Sequence, residues 1–310
     1  MFMPKNPHTT AVLQALFVTF LWSTSFVLIK IGLRDIPAVT FAGLRYFLAF
    51  LVLLPLFLFS GRASRLRHLT RRDWLALIIL GVLYYAVTQG TQFVALAYLP
   101  AVNLSLLLNG TAVVVALLSI PLLQEVPSPR QAGGIGLFFT GVVLFFFPFA
   151  LPEGQFIGYA VATIHLLATS FSSILGRAVN RQQRLDPLTV TTVSMGAGGA
   201  LLLATGLAAE PAPHLDAANW AIIAILAVVN TAFAFTLWNK TLRTLTATES
   251  VMINNTMLIQ IAVLAWIFLD ETVTLQQIGG MIVAASGALL VQLGARQTSN
   301  EAQQQIAAGE

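Results

Sequence analysis

The stretch EVPSPRQAGG at residues 125–134 returns as ETVTLQQIGG at residues 271–280. The offset from Glu125 to Glu271 is 146 residues, and the alignment it defines needs no gap. It pairs Gln131 with Gln277, Gly133 and Gly134 with Gly279 and Gly280, Gly141 with Gly287, and Asn109 with Asn255. It reaches back to Trp74 and Trp220, each opening an apolar run. A weaker match joins Thr24-Ser25-Phe26 to Thr169-Ser170-Phe171, and Asp35-Ile36-Pro37 to Asp186-Pro187. Self-similarity at a fixed spacing marks a repeated structural unit. Residues 1–150 form the first unit, 151–295 the second, and 296–310 a polar tail rich in Gln and Ala.

The solvent of these units is lipid. The 310 residues are 57% hydrophobic and 9% charged, with a mean hydropathy of +0.83. Soluble chains run near a quarter charged. A spanning helix needs about 20 mostly apolar residues. Apolar runs predict spans near 11–29, 38–59, 74–95, 101–122, 131–149, 155–176, 188–208, 219–238, 248–268 and 275–294. Lipid leaves helices or a closed barrel as the choices. Barrel strands alternate apolar and polar residues over short segments, and these runs are continuous. The fold class is therefore an all-α membrane protein of about ten transmembrane helices. Five per unit is odd, so the two units sit in opposite orientation, as inverted repeats around a central cavity.

Lys and Arg set the expected orientation. With the N-terminus in the cytoplasm, thirteen fall inside: Lys5, Arg62, Arg65, Arg67, Arg71, Arg72, Arg130, Arg177, Arg181, Arg184, Lys240, Arg243 and Arg296. Two fall outside, Lys30 and Arg34, together with Glu153, Glu210, His214 and Asp216. Lys30 and Arg34 also stand where a signal peptide would carry a small-residue cleavage site, so the first helix is retained. A bacterial inner membrane, with both termini cytoplasmic, is the expected location. The net charge of +4 lies in short loops, which suits a bilayer and not nucleic acid. There is no Cys and no motif for a metal, a nucleotide or a catalytic nucleophile, so no cofactor, metal or enzymatic activity is expected.

A short apolar helix, then Glu, a polar turn, Gly-Gly and a small-residue helix, met twice, resembles the EamA-type transporters of the drug/metabolite transporter superfamily. Leu21-Trp22-Ser23-Thr24-Ser25-Phe26, Leu44-Arg45-Tyr46-Phe47-Leu48-Ala49 and Leu237-Trp238-Asn239-Lys240 are similar to the family as well. The resemblance implies a cavity lined mainly by helices 1, 3, 4, 6, 8 and 9. It also implies export or exchange of amino acids and similar metabolites. The family's proline in helices 4 and 9 is replaced here by Ala112 and Leu258, which implies less kinked helices.

Polar groups inside a bilayer tend to face a cavity or another helix. Tyr84, Thr88 and Gln92 recur every four residues in helix 3, on one face. The repeat maps them to Asn230, Ala234 and Trp238 of helix 8. Tyr85 and Gln89 lie beside the first stripe. Trp22 and Ser25 sit in the middle of helix 1, His165 near the middle of helix 6, and Asn109 and Asn255 are repeat partners. These twelve are the candidate substrate-binding residues: aromatic rings for stacking area, amides to orient a carboxylate or amine. Interhelical hydrogen bonding is the alternative role for each. His165 is either a proton-coupling group or a neutral, hydrogen-bonded core residue. No Asp or Glu lies mid-span, which points to exchange or facilitated diffusion. Arg45 reads as a structural residue that snorkels or pairs with a carbonyl. Glu125 and Glu271 read as turn-fixing residues beside the start of the next helix.

The expected function is thus a secondary carrier for amino acids with hydrophobic or aromatic side chains, or related amphipathic compounds. Its partners are a small-molecule substrate and the bilayer, and it is expected as a monomer or weak homodimer. The alternatives are a carrier for drugs, nucleotide sugars or phosphometabolites, or a non-transporting membrane scaffold.

Overall fold

In a computed structural model, which describes residues 7–61, 66–67, 69–123, 127–149, 152, 154–181 and 187–308, the chain is an all-α bundle. Among the described residues ten helices are long and apolar enough to cross a membrane. They are α1 (Pro7–Gly32), α2 (Ala38–Phe59), α3 (Arg71–Tyr98), α4 (Ala101–Leu118) and α5 (Pro129–Phe146). The second five are α6 (Gln155–Ser173), α7 (Leu188–Ala209), α8 (Ala217–Trp238), α9 (Glu249–Leu269) and α10 (Leu275–Gly294). Each coincides with an expected span to within a few residues. The last helix runs on to Ala308. Lys5, Arg62, Arg65, Glu125, Glu153, Arg184 and Asp186 lie outside the described residues.

Part of the repeated motif is a helix start. Ser128 and Gln131 form a reciprocal cap ahead of α5, with Gln131 Oε1 accepting from Ser128 N at 2.8 Å and Ser128 Oγ from Gln131 N at 3.3 Å. Thr274 and Gln277 make the same pair ahead of α10, at 2.9 and 3.2 Å. A side chain that closes an orphan N–H here replaces water in the first turn.

Glu271 does something other than expected. It does not serve its own following helix. Its carboxylate accepts from Ala101 N at 2.7 Å and Val102 N at 3.1 Å, in the first turn of α4. Glu210 does the same for α2, accepting from Val39 N at 2.9 Å and Thr40 N at 2.7 Å. The reason is local. α2 and α4 begin behind Pro37 and Pro100, which offer no capping side chain. Unpaired N–H groups at a helix N-terminus favour an acceptor and a negative charge, so an acid from the other half supplies it. Both caps lie at one end of the bundle, called here the Glu271 end.

Two helix pairs cross between the halves at backbone contact. In α5 and α10 the contact is reciprocal: a Cβ on Gly134 would stand 2.8 Å from Gly287 O, and one on Gly280 would stand 2.8 Å from Gly141 O. On Gly141 it would meet Ala284 N at 2.3 Å, and on Gly287 Phe138 N at 2.3 Å. In α2 and α7 the contacts run antiparallel, Gly206 against Thr40, Gly43 against Leu203 and Gly199 against Phe47. Small residues are what allow helices to associate this closely in lipid.

Candidate functional site

The helices are irregular where the site is expected. α4 is interrupted: Ala101–Asn109 ends at Gly110, and a new helical segment starts at Thr111. Gly110 N bonds back only three residues, to Leu107 O at 2.9 Å. An added Cβ on Gly110 would meet the Phe138 ring at 2.7 Å. The expectation that loss of the family's proline leaves helices 4 and 9 less kinked therefore fails for α4, because a glycine breaks it two residues earlier. α9 is one continuous segment from Ala247 to Leu269. α3 and α8 each widen into a π-helical stretch, Gly81–Thr88 and Ile225–Phe233. Thr88 Oγ1 bonds Leu83 O at 2.9 Å, and Thr231 Oγ1 bonds Leu226 O at 2.8 Å, both five residues back. Such π-bulges recur at functional sites.

Most of the expected site residues are engaged by neighbouring helices. The Asn230 amide donates to Leu21 O, to Thr24 Oγ1 at 3.0 Å and to Ser25 Oγ at 2.9 Å, tying α8 to α1. Gln89 Oε1 accepts from the Tyr46 hydroxyl at 2.6 Å. Tyr85 packs its ring 5.7 Å from Tyr46 and 5.0 Å from Tyr84. Thr88 gives its carbonyl to His165 Nδ1 at 2.7 Å, and His165 Nε2 lies 3.2 Å from Thr169 Oγ1. A carbonyl only accepts, so Nδ1 carries the proton and Nε2 accepts from the threonine. This satisfies the neutral ring on both sides. Gln92 is partly exposed on α3.

Three of the expected site residues keep unused capacity. Trp22 Nε1, Asn109 Oδ1 and Asn255 Nδ2 are sealed from solvent and have no hydrogen-bond partner. An unpaired buried polar atom is costly, so each marks a place where another group fits. The Trp22 ring lies 5.4 Å from Phe235 and 5.3 Å from Trp238, a three-ring cluster between α1 and α8. α1 packs on α8 and α9, and α4 packs on α9. Asn109 ends the first segment of the broken α4, eight residues from Ala101, about 12 Å deep at 1.5 Å per residue. Asn255 stands equally far from Ala247, at the opposite end of the bundle. The two amides are thus placed by the repeat on either side of the membrane's middle.

Three features escaped the sequence reading. Gln260 links α9 to α1, accepting from Ser23 Oγ at 2.9 Å and donating to Thr19 Oγ1 at 3.2 Å and to Thr256 Oγ1 at 3.0 Å. A glutamine in mid-span was the available signal. The π segments left no signal. The sequence reads Arg45 as a structural residue that snorkels or pairs with a carbonyl; it does neither, being 5% exposed with its Nε donating to the Thr231 hydroxyl at 3.0 Å in the π segment of α8. Two turns of helix separate it from the Glu271 end, too far for the guanidinium to turn back to water past packed neighbours.

A cavity of about 580 Å³ opens at the Glu271 end, lined by Asp35, Pro37, Pro211, His214 and Asp216 among others. It lies about 15 Å along α1 from Trp22, so it is a surface feature of the loops and not the mid-membrane site.

The model of the EamA-like transporter family matches residues 9–147 and again 156–293. A transporter of Bacillus subtilis, YvbV, is 25% identical over 318 residues, covering 99% of this chain and 98% of its own. A transporter of Archaeoglobus fulgidus is 36% identical over 124 residues, 40% of this chain and 41% of its own. An S-adenosylmethionine/S-adenosylhomocysteine transporter of Chlamydia muridarum is 26% identical over 267 residues, 82% of each chain. One solved crystal structure shares the fold with a TM-score of 0.65 at 19% identity, over 93% of this chain and 99% of that one.

Proposed function

This chain belongs to the EamA-like transporter family, and on that premise we propose that it exchanges or exports amino acids with apolar or aromatic side chains by alternating access. A multi-pass membrane protein that transports a small molecule is the established part. The proposal adds the substrate class, the site residues, the bacterial inner membrane and the cytoplasmic placement of both termini. It also treats residues 1–150 and 151–295 as the two inverted repeats.

One observation carries the site. Trp22 Nε1, Asn109 Oδ1 and Asn255 Nδ2 are buried without partners, on helices that pack together around the break at Gly110. Broken helices with free polar groups near the midplane are where secondary carriers bind their substrates. Two donors, an acceptor and a three-ring aromatic cluster suit a substrate with an apolar body and a small polar head. The Chlamydia relative is an S-adenosylmethionine/S-adenosylhomocysteine transporter, which supports a small organic metabolite as cargo. Net charge and the polar loops support the orientation, through the thirteen-to-two bias in Lys and Arg.

The test is counterflow in proteoliposomes loaded with unlabelled amino acids. Saturable uptake of a labelled aromatic or branched amino acid, reduced by Trp22→Ala and by Asn109→Ala at unchanged membrane insertion, is the expected result. Uptake that neither saturates nor responds to an internal amino acid would sink the reading.

A further inference from the structure

Among the described residues Arg45 has no counterion. It lies in α2 about 10 Å from the Glu271 end and is 5% exposed. Its Nε bonds the Thr231 hydroxyl at 3.0 Å, and that hydroxyl donates its own proton to Leu226 O at 2.8 Å. The guanidinium carbon stands 5.1 Å from the Tyr46 ring and 6.0 Å from the Phe93 ring. Among the described residues Arg45 makes no ion pair, and its terminal nitrogens make no hydrogen bond.

The surroundings offer no negative charge. Tyr46 gives its hydroxyl proton to Gln89, and Phe93 is fully buried. At this end Glu210 and Glu271 are held on the helix starts of α2 and α4, and Asp35 and Asp216 line the loop cavity. Removing a charge from water without a partner is strongly unfavourable. Aromatic faces offset part of that. They leave the four terminal N–H groups pointing in a planar fork, whose natural complement is a two-oxygen anion. Thr231 adjoins Asn230, which bonds Leu21, Thr24 and Ser25 around Trp22. The cation and the aromatic cluster therefore flank the same π segment of α8.

We propose that Arg45 is the oxyanion receptor of the transport path, holding the carboxylate or phosphate of the substrate through its terminal guanidinium nitrogens. The inference rests on the carrier reading and narrows it: cargo bears one anionic head, and neutral or purely cationic amphiphiles are poor ligands. Arg45 thus binds cargo instead of serving only as a structural residue, and Thr231 is its positioning residue.

The test is direct binding to the full chain in nanodiscs, followed by calorimetry with three probes of similar shape: 3-phenylpropionate, phenyl phosphate and neutral 3-phenylpropionamide. Wild type is expected to bind at least one anion about tenfold or more tightly than the amide, the scale of a charge-assisted hydrogen bond. The ranking of the two anions names the carboxylate or the phosphate as the physiological head. Arg45→Met is expected to bring anion affinity down to that of the amide, which itself stays unchanged, and Arg45→Lys to recover part of the preference. Wild type binding neither anion, or binding the amide equally well, would overturn the proposal without any variant, so a misfolded Arg45→Met cannot rescue it. Retained anion preference in folded Arg45→Met would overturn it too. The carrier reading fails separately: anion selectivity without counterflow would refute transport and leave the receptor, while counterflow indifferent to the anionic head would do the reverse.

Discussion

The α5/α10 pair and the α2/α7 pair both join the two halves, yet they are built differently. In α5/α10 the members are interchangeable: Gly134 meets Gly287 as Gly280 meets Gly141. In α2/α7 they are not. Three of the close contacts come from glycines of α7, Gly196, Gly199 and Gly206, set against Phe50, Phe47 and Thr40 of α2. On the side of α2 turned away from that seam sits Arg45, and α7 carries no Lys or Arg in its span. A self-complementary seam can lie on a two-fold axis and do nothing but pack. An unlike seam lets one half carry a group that the other lacks, which an asymmetric substrate requires.

The sharpest way to break this contrast is at the glycines of the symmetric seam. Gly141→Ala and Gly287→Ala place a methyl 2.3 Å from a backbone nitrogen, and each is expected to cost ~1–3 kcal/mol or more through forced backbone shifts. Thermal unfolding in detergent reads it, with Gly136→Ala, where nothing lies within 4 Å, as the unaffected control. Unchanged stability in both seam variants would dissolve the distinction. Next in size is Glu271→Gln, which weakens the cap on α4 and is expected to lower stability by ~0.5–2 kcal/mol. The same change at Glu210 should match it, because both acids do one job.

A smaller effect separates packing from binding. Asn230→Ala removes the tie between α8 and α1 and is expected to cost ~0.6–1.7 kcal/mol, the range for hydrogen bonds inside membranes. Trp22→Phe keeps an aromatic face in the cluster but removes the donor, which has no protein partner, along with one ring of the indole. It is expected to lower the unfolding midpoint only slightly while raising the KM of counterflow clearly. A drop in stability with KM unchanged would return Trp22 to the core. The smallest expected effect is none at all: exchange should be flat across neutral pH, since the neutral His165 ring already has both nitrogens bonded. A pH profile that His165→Gln abolishes would overturn that.

The spans, their number and the repeat were legible because they are one-dimensional. Apolar runs and the 146-residue offset survive in the order of residues whatever the packing. The capping pairs Ser128–Gln131 and Thr274–Gln277 were visible as part of the repeat for the same reason. The site residues were legible only as a polar set. Trp22, Asn109 and Asn255 looked no different from Asn230, Gln89 or Thr88 in the sequence, since whether an amide meets a neighbouring helix depends on rotation about each helix axis. The break in α4 falls at Gly110, and a single glycine in an apolar run does not by itself distinguish a break from a packing contact.

What the amino-acid order determined by itself is a lipid-dissolved, duplicated ten-helix chain, since hydropathy and periodicity act residue by residue along the backbone. What only the tertiary structure decided is who meets whom across the halves: Glu271 on the start of α4, Thr231 on Arg45, and, among the described residues, no carboxylate on Arg45. Those outcomes depend on distances of a few ångströms between segments a hundred or more residues apart, where a hydrogen bond or an uncompensated charge is gained or lost.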